Sequence, residues 1–177
     1  MKNKATDFFF TALAAYMPLS SEIQQSLLSQ VVVREVKKNS PLPNFRHEYL
    51  FVTQGLLKKE DCDTGDILLF LKPGDFELFA TAEETFHYIS IEASTVVLFP
   101  AQMIVDLISQ HKSLFPGYQN IVHRWSALRC RRQDILLLPA SEKKAELFRS
   151  MGKLINSIPN KDLAKYLDID NSYFSKL

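Results

Sequence analysis

At Pro100 the spacing of hydrophobic residues changes, and this change limits what the chain can fold into more than any single motif does. Before it, the segments VVVREV, EYLFVTQGLLKKE, DILLFLK, FHYISIEA and TVVLFP are short and rich in β-branched and aromatic residues. Turn chemistry separates them, in NSPLPN, DCDTGD and KPGD. Short strands at this spacing imply a small barrel or roll. After Pro100 the period moves toward 3.6, and AQMIVDLISQH reads as one helix. A longer helix is expected from about Pro116 to about Leu137, because a first-turn proline lacks only an N–H that would be unpaired there anyway. LPAS, with Pro139 and Ser141, ends that helix and caps another, SEKKAELFRSMGKL. Ahead of the strands, the apolar run from Phe8 to Met17 reads as an ordinary helix capped by Asp7, because no small-x-small cleavage site closes it. Pro18 breaks it, and Ser20 or Ser21 caps SEIQQSLLSQ.

The expected fold class is α+β: an N-terminal antiparallel β-roll with flanking helices, a long helix, and a C-terminal helix pair. The corresponding divisions are 1–112, 113–138 and 139–177. With 177 residues, 46% of them hydrophobic, the chain can bury a core for one or two small domains. Its net charge of +1 conceals an asymmetry. Residues 1–100 carry nine Lys or Arg against thirteen Asp or Glu, whereas residues 101–177 carry twelve against seven. The back of the chain is therefore the half suited to an anionic partner. Cys62 and Cys130 are too few and too far apart for a disulfide framework or a CxxC zinc site, so a reducing cytoplasm is expected. No stretch approaches the ~20 apolar residues of a membrane span.

In the last eighteen residues, NKDLAKYLDIDNSYFSKL, apolar or small side chains fall at Leu163, Ala164, Leu167, Ile169, Phe174 and Leu177. Two short helices with a sharp bend fit this pattern, the first from Lys161 to Leu167, with Asp168 and Ile169 as the turn. Asp170 is a good N-cap for the second, whose exposed face then carries Asn171, Ser172, Ser175 and Lys176. Ala164 is small enough to let two helices cross at ~90–120°, as a helix-turn-helix requires. Asp168 stands where such motifs usually place glycine, and Asp tolerates the left-handed conformation at modest cost. Taken alone, the pattern also describes a helical hairpin that merely closes a core.

Along the long helix, Tyr118, Ile121, Trp125, Leu128 and Ile135 are spaced by three, four, three and seven, a heptad seam interrupted by Arg132. Two uses are open. The stripe packs on the chain's own roll, or it meets a second copy.

The whole order of elements resembles the Crp/Fnr family of transcriptional regulators, which join a cyclic-nucleotide-binding-like roll to a C-terminal helix-turn-helix. YMPLSSEIQQSLLSQVVVREVKK resembles the family's entry helices and first strand, and VTQGLLKKEDCDTGD its strand and glycine turn, around Gly55 and Gly65. LKPGDF, around Gly74, resembles the turn before the ligand cassette, and IPNKDLAKYLDIDNSYFSKL the helix-turn-helix. The resemblance implies a sensory roll over 1–112, a dimerisation helix over 113–138 and a DNA-binding unit over 139–177. It implies a cytoplasmic homodimer, paired along Tyr118, Ile121, Trp125, Leu128 and Ile135, on a pseudo-palindromic duplex. RNA polymerase is a further partner that it allows. Asn171 is the candidate for adenine readout and Lys176 for guanine or phosphate. Ser172, Tyr173 and Ser175 are candidates for phosphate or secondary base contacts, and Lys161 and Lys165 for backbone clamps.

Family members that bind cyclic AMP hold the ribose with a Glu and the phosphodiester with an Arg. Here GDFELFATAEETFHYISIEASTVVLF has no Arg and carries Asp75, Glu77, Glu83, Glu84 and Glu92, which disfavours an anionic nucleotide. Glu77 or Glu83 remains for a sugar contact. Phe70, Phe76, Phe79, Phe86 and Tyr88, with Glu77, either line an effector pocket or form the core of the roll. Two cysteines are too few for an iron–sulfur cluster. His47, His87, His111 and His123 are haem ligands by type only, and no HxH, GxSxG, Walker or HExxH pattern suggests an enzyme. No cofactor and no metal are expected. The rival reading is a dimer that binds a protein partner or a small apolar ligand in place of DNA. It is favoured by the neutral charge of residues 160–177, which leaves phosphate neutralisation to Arg129, Arg131, Arg132, Lys143, Lys144, Arg149 and Lys153.

Overall fold

The structure, a computed structural model, describes residues 2–42, 48–78 and 86–176. Phe79, Glu83, Glu84, His47 and Leu177, all invoked above, lie outside the described residues. Two helices open the chain, α1 (Lys2–Ala14) and α2 (Ser21–Gln30). Seven strands follow: β1 (Val32–Val36), β2 (Glu48–Gln54), β3 (Leu57–Asp61), β4 (Ile67–Leu71), β5 (Phe76–Glu77), β6 (Phe86–Ser90) and β7 (Ser94–Pro100). Five helices complete it: α3 (Ala101–Gln110), α4 (Phe115–Leu136), α5 (Ala140–Met151), α6 (Asn160–Tyr166) and α7 (Asn171–Phe174).

The strands form two antiparallel sheets, one in the order β1-β7-β2-β5 and the other β4-β3-β6. EYLFVTQGLLKKE, read from sequence as one segment, is divided between them at Gly55. That residue has φ of +85°, and a Cβ there would lie 2.3 Å from Ser94 Oγ and 2.6 Å from the Ala93 carbonyl oxygen. Only glycine permits the chain to change sheets at this point.

Period-two alternation then sorts the side chains. From the first sheet, Tyr49, Phe51, Val97 and Phe99 face α1, α2, α3 and the start of α4. Their neighbours Leu50, Val52, Val96 and Leu98 face the other sheet, meeting Leu57, Leu69, Leu71 and Tyr88 inside the roll. The outer side of the second sheet is covered in turn by the C-terminal helices, where Ile67, Phe70 and Ile91 pack with Leu147, Leu163, Tyr166 and Phe174.

Three local expectations change. Asp7 does not cap α1, which begins earlier because Ala5, Phe9 and Leu13 continue one buried face back toward the N-terminus. Ser141 does not cap α5, which starts at Ala140. Pro139 occupies the cap position, and its carbonyl accepts from the Glu142 and Lys143 amides. α5 also stops before Leu154, at Gly152 with φ of +56°, and a 3-10 turn over Gly152–Ser157 leads to α6. Ser20, by contrast, does cap α2, accepting from the Ile23 amide.

Candidate nucleic-acid interface and the roll interior

α6 and α7 are joined by the bend expected from sequence. Asp168 has φ of +52°, with its amide donating to the Lys165 carbonyl and the Ile169 amide donating back to the Ala164 carbonyl. This is the Schellman pattern with Asp in the glycine position. Asp170 then caps α7, its Oδ1 accepting from the Ser172 amide at 2.9 Å and the Tyr173 amide at 3.1 Å. The Ser172 hydroxyl and these two amides hold the Asp170 carboxyl below its usual value. Ala164 and Phe174 are buried where the two helices cross.

Asn171, Ser172, Tyr173, Ser175, Lys176 and Lys161 are all exposed. Lys165 is exposed too, so all seven candidate DNA contacts lie in solvent. Two of their hydroxyls are already used within the motif, since Ser175 donates to the Asn171 carbonyl and Ser172 to Asp170. Lys165, the seventh, sends its ammonium to the Gly65 carbonyl at the β3–β4 turn, 3.1 Å away. On the same side Lys58 of β3 pairs with the buried Asp162 of α6 at 3.2 Å, and Phe70 stacks on Tyr166 at 5.0 Å. Burial pushes the Tyr166 hydroxyl up to about 12, against the lowering effect of Arg132 and Arg131.

Three of the seven upstream basic residues brace the motif from behind. Lys143 donates to the Leu167 carbonyl and Lys144 to the Phe174 carbonyl, which places a cation at the C-terminal end of α6 and of α7. Arg132 donates to the Tyr166 carbonyl, Arg149 pairs with Glu146, and Arg129 lies over the Trp125 ring. Lys153 remains exposed. Sequence reasoning treated these side chains as a reserve of charge, and their bracing role depends on contacts across 24 to 34 residues of chain.

The stripe on α4 faces inward. Tyr118 hydroxyl meets Tyr49 hydroxyl at 3.2 Å, Ile121 and Ile135 are buried in different cores, and Leu128 packs on the roll interior. Burial, with Tyr118 beside it, raises the Tyr49 hydroxyl. The seam expected for a second copy is thus occupied by this chain's own sheets, because the two sheets and the C-terminal helices together offer enough surface to cover it.

The residues read as either an effector pocket or the core of the roll are dispersed as well. Phe70 belongs to the C-terminal core and Phe76 to the helical one, stacked on Phe51 at 4.6 Å. Glu77, Phe86 and Tyr88 do converge, but on a residue that sequence reasoning passed over. Lys59 Nζ lies 3.2 Å from Glu77 Oε1 and 3.4 Å from the Phe86 ring centroid, and the Tyr88 hydroxyl donates to the same Glu77 oxygen at 2.8 Å. Glu77 Oε2 accepts from the Trp125 indole of α4 at 3.2 Å. The signal was present in the strand: alternation from Leu57 puts Lys59 on the inner face. Of the two grooves beside α4, the larger, about 580 Å³, includes Phe76 alone among the described pocket candidates, and the smaller, about 360 Å³, includes none.

This fold matches known ones. The chain is similar to FixK2 from Bradyrhizobium japonicum, with a TM-score of 0.69 at 13% identity over 82% of this chain and 81% of that one. It is similar to a putative transcriptional regulator of the Crp/Fnr family from Eubacterium rectale, with a TM-score of 0.67 at 12% identity over 92% and 85%. A cyclic nucleotide-binding domain containing protein from Listeria monocytogenes gives 0.62 at 13% identity over 96% and 87%. No protein-family model and no curated protein sequence matches the chain. At these identities the likeness is one of fold, and the fold is that of Crp/Fnr-type proteins, with a cyclic-nucleotide-binding-like roll. Among the described residues no helix is long and apolar enough to cross a membrane.

Proposed function

We propose that this protein is a sequence-specific, DNA-binding transcriptional regulator of Crp/Fnr type that acts in the cytoplasm as a homodimer and does not respond to cyclic AMP. The observation that carries the reading is the bend between α6 and α7. Left-handed Asp168, the Asp170 cap and the buried Ala164–Phe174 crossing are the requirements of a helix-turn-helix, and a row of polar side chains on it is exposed. In this reading Asn171 reads a base edge, Lys176 reads guanine or phosphate, Ser172, Tyr173 and Ser175 add secondary contacts, and Lys161 clamps the backbone. Lys165 joins it only by leaving Gly65.

Dimerisation uses the stripe of α4 that stays in solvent. Gln119, His123, Ser126, Cys130 and Gln133 are exposed along one face of it, and Leu137 is exposed just past its end. Cys130 lies near the middle, so a parallel pair brings two Cys130 thiols together. In Cys62→Ser protein, diamide then links the copies as a disulfide, and Cys130→Ser prevents it.

The deciding experiment is selection of the purified protein on random duplex DNA at ~100 mM salt. The expected result is a palindrome with half-sites ~34–36 Å apart. Asn171→Ala then relaxes one base pair per half-site, whereas Lys161→Ala weakens all sequences alike. A protein partner is the second reading. It is favoured by the commitment of Arg132, Lys143 and Lys144 to internal contacts and by the exposed rings of Tyr173 and Phe148. Binding to such a partner is insensitive to added salt, and binding to DNA falls steeply with it.

A further inference from the structure

The roll interior holds a feature that the regulator reading does not use. Lys59 and Glu77 are almost fully buried, with side-chain exposures of 1% and 0%, between two sheets whose inner faces carry a cluster of apolar residues. An unpaired ammonium or carboxylate in such a place is costly, and each of these two neutralises the other. The carboxylate is further held by the Tyr88 hydroxyl on one oxygen and the Trp125 indole on the other. Trp125 belongs to α4, so the pair inside the roll reaches the long helix directly.

α4 is the element that connects all parts of the molecule. Ile121 enters the helical core, Leu128 packs on the roll interior and Ile135 enters the C-terminal core, while Arg132 donates to the Tyr166 carbonyl of α6. Whatever fixes α4 on the roll also fixes the base of the helix-turn-helix. Among the described residues, polar contacts from the roll meet α4 in its first half at Tyr49 to Tyr118 and at Glu77 to Trp125. Of these only the second is anchored by a buried charge pair.

We propose that the Lys59–Glu77 pair is a built-in latch, which holds α4 in place through Trp125 and so sets the position of the C-terminal helices without any small-molecule effector. Among the described residues, the charges buried inside the roll are those of Lys59 and Glu77. An entering anion would have to displace Glu77 from Lys59, and an entering cation would have to displace Lys59. The proposal rests on the regulator reading for its consequence at DNA, but the latch itself is testable without DNA.

Trp125 is the sole tryptophan, so its fluorescence reports the latch directly. Acrylamide quenching and the emission maximum are measured on the full chain, for wild type, Lys59→Met, Glu77→Gln and the double variant Lys59→Met/Glu77→Leu. The double variant leaves neither charge unpaired and keeps the interior filled, so it reports even if the single variants unfold. The expected result is a red shift and increased quenching in the double variant while its far-UV circular dichroism stays that of wild type. Wild-type emission and quenching in a folded double variant would overturn the latch. With an operator in hand, wild type binds it with no added effector, and the double variant binds about tenfold more weakly. A requirement for a small molecule in the wild type would also overturn the proposal. Absence of any operator would count against the regulator reading, while the fluorescence result still decides the latch.

Discussion

Lys58 and Lys59 are neighbours on one strand and tie down opposite sides of it. Lys58 points out of the roll and pairs with Asp162 of α6, and Lys59 points in and pairs with Glu77 beneath α4. Both pairs join the second sheet to something outside it, but their surroundings differ. The outer pair lies at an interface edge, where Lys58 also meets Glu60 at 2.8 Å. Burial by itself lowers the Lys58 ammonium, and the bonds to Glu60 and Asp162 outweigh it, leaving it raised. The inner pair is sealed by the Phe86 and Tyr88 rings. One strand thus carries an adjustable attachment on one face and a rigid one on the other.

The largest expected effect comes from breaking the rigid one. Lys59→Met strands the Glu77 carboxylate and lowers unfolding free energy by ~3–5 kcal/mol, read from urea denaturation, whereas the double variant recovers most of that loss. Lys58→Met removes one partner of Asp162, whose side chain is 8% exposed, and costs less, ~1–3 kcal/mol. Equal losses at the two positions would dissolve the distinction. Next comes the crossing of α6 and α7. Ala164 is buried there, and Ala164→Leu costs ~1–3 kcal/mol by forcing the helices apart, measured in the same way. Operator binding falls further than stability does, because the reading face is displaced.

The two regions also differ in how far sequence disclosed them. The C-terminal motif is written over eighteen consecutive residues, so Ala164, Asp168, Asp170 and Phe174 could be assigned from spacing and local backbone chemistry. Each took the role expected of it. The roll interior depends on which of two adjacent lysines faces inward, on a partner 18 residues away and on an indole 48 residues beyond that. Alternation along β3 singles out Lys59, but nothing local identifies Glu77 as its partner. The described aromatic residues, read as either an effector pocket or the core of the roll, fall into three cores for the same reason: β4, β5 and β6 are distributed over two sheets. The stripe on α4 was recognised, and its direction was not, since a heptad pattern is the same whether a sheet or a second helix covers it.

The smaller effects lie in the bend itself. Asp168→Gly removes the cost of a side chain at φ of +52° and raises the melting temperature slightly, the gain being under about 1 kcal/mol. If the variant instead lowers it, the Asp168 side chain supports the turn by a contact of its own. Either outcome leaves the roll interior untouched, so Trp125 emission stays constant through it.

Acid separates the two regions most finely. The Asp170 carboxyl lies below its ordinary value of 3.8 in the folded chain, because the Ser172 hydroxyl and the amides of Tyr173 and Ser172 bond to its charged form. A depressed folded value means that the cap's contribution is fully present above the unfolded value and is lost as pH falls through the folded one. The window is therefore below 3.8, and there the Ser172 and Tyr173 amides should lose protection from hydrogen exchange before the amides of β3 do. Asp170→Asn keeps a capping oxygen but cannot titrate, so its α7 amides stay protected through that window. Loss of protection in both forms at the same pH would mean that the whole C-terminal core, not the cap, yields first. Because that core is shared with Ile67 and Phe70 of the roll, the loss would then appear in β4 amides as well.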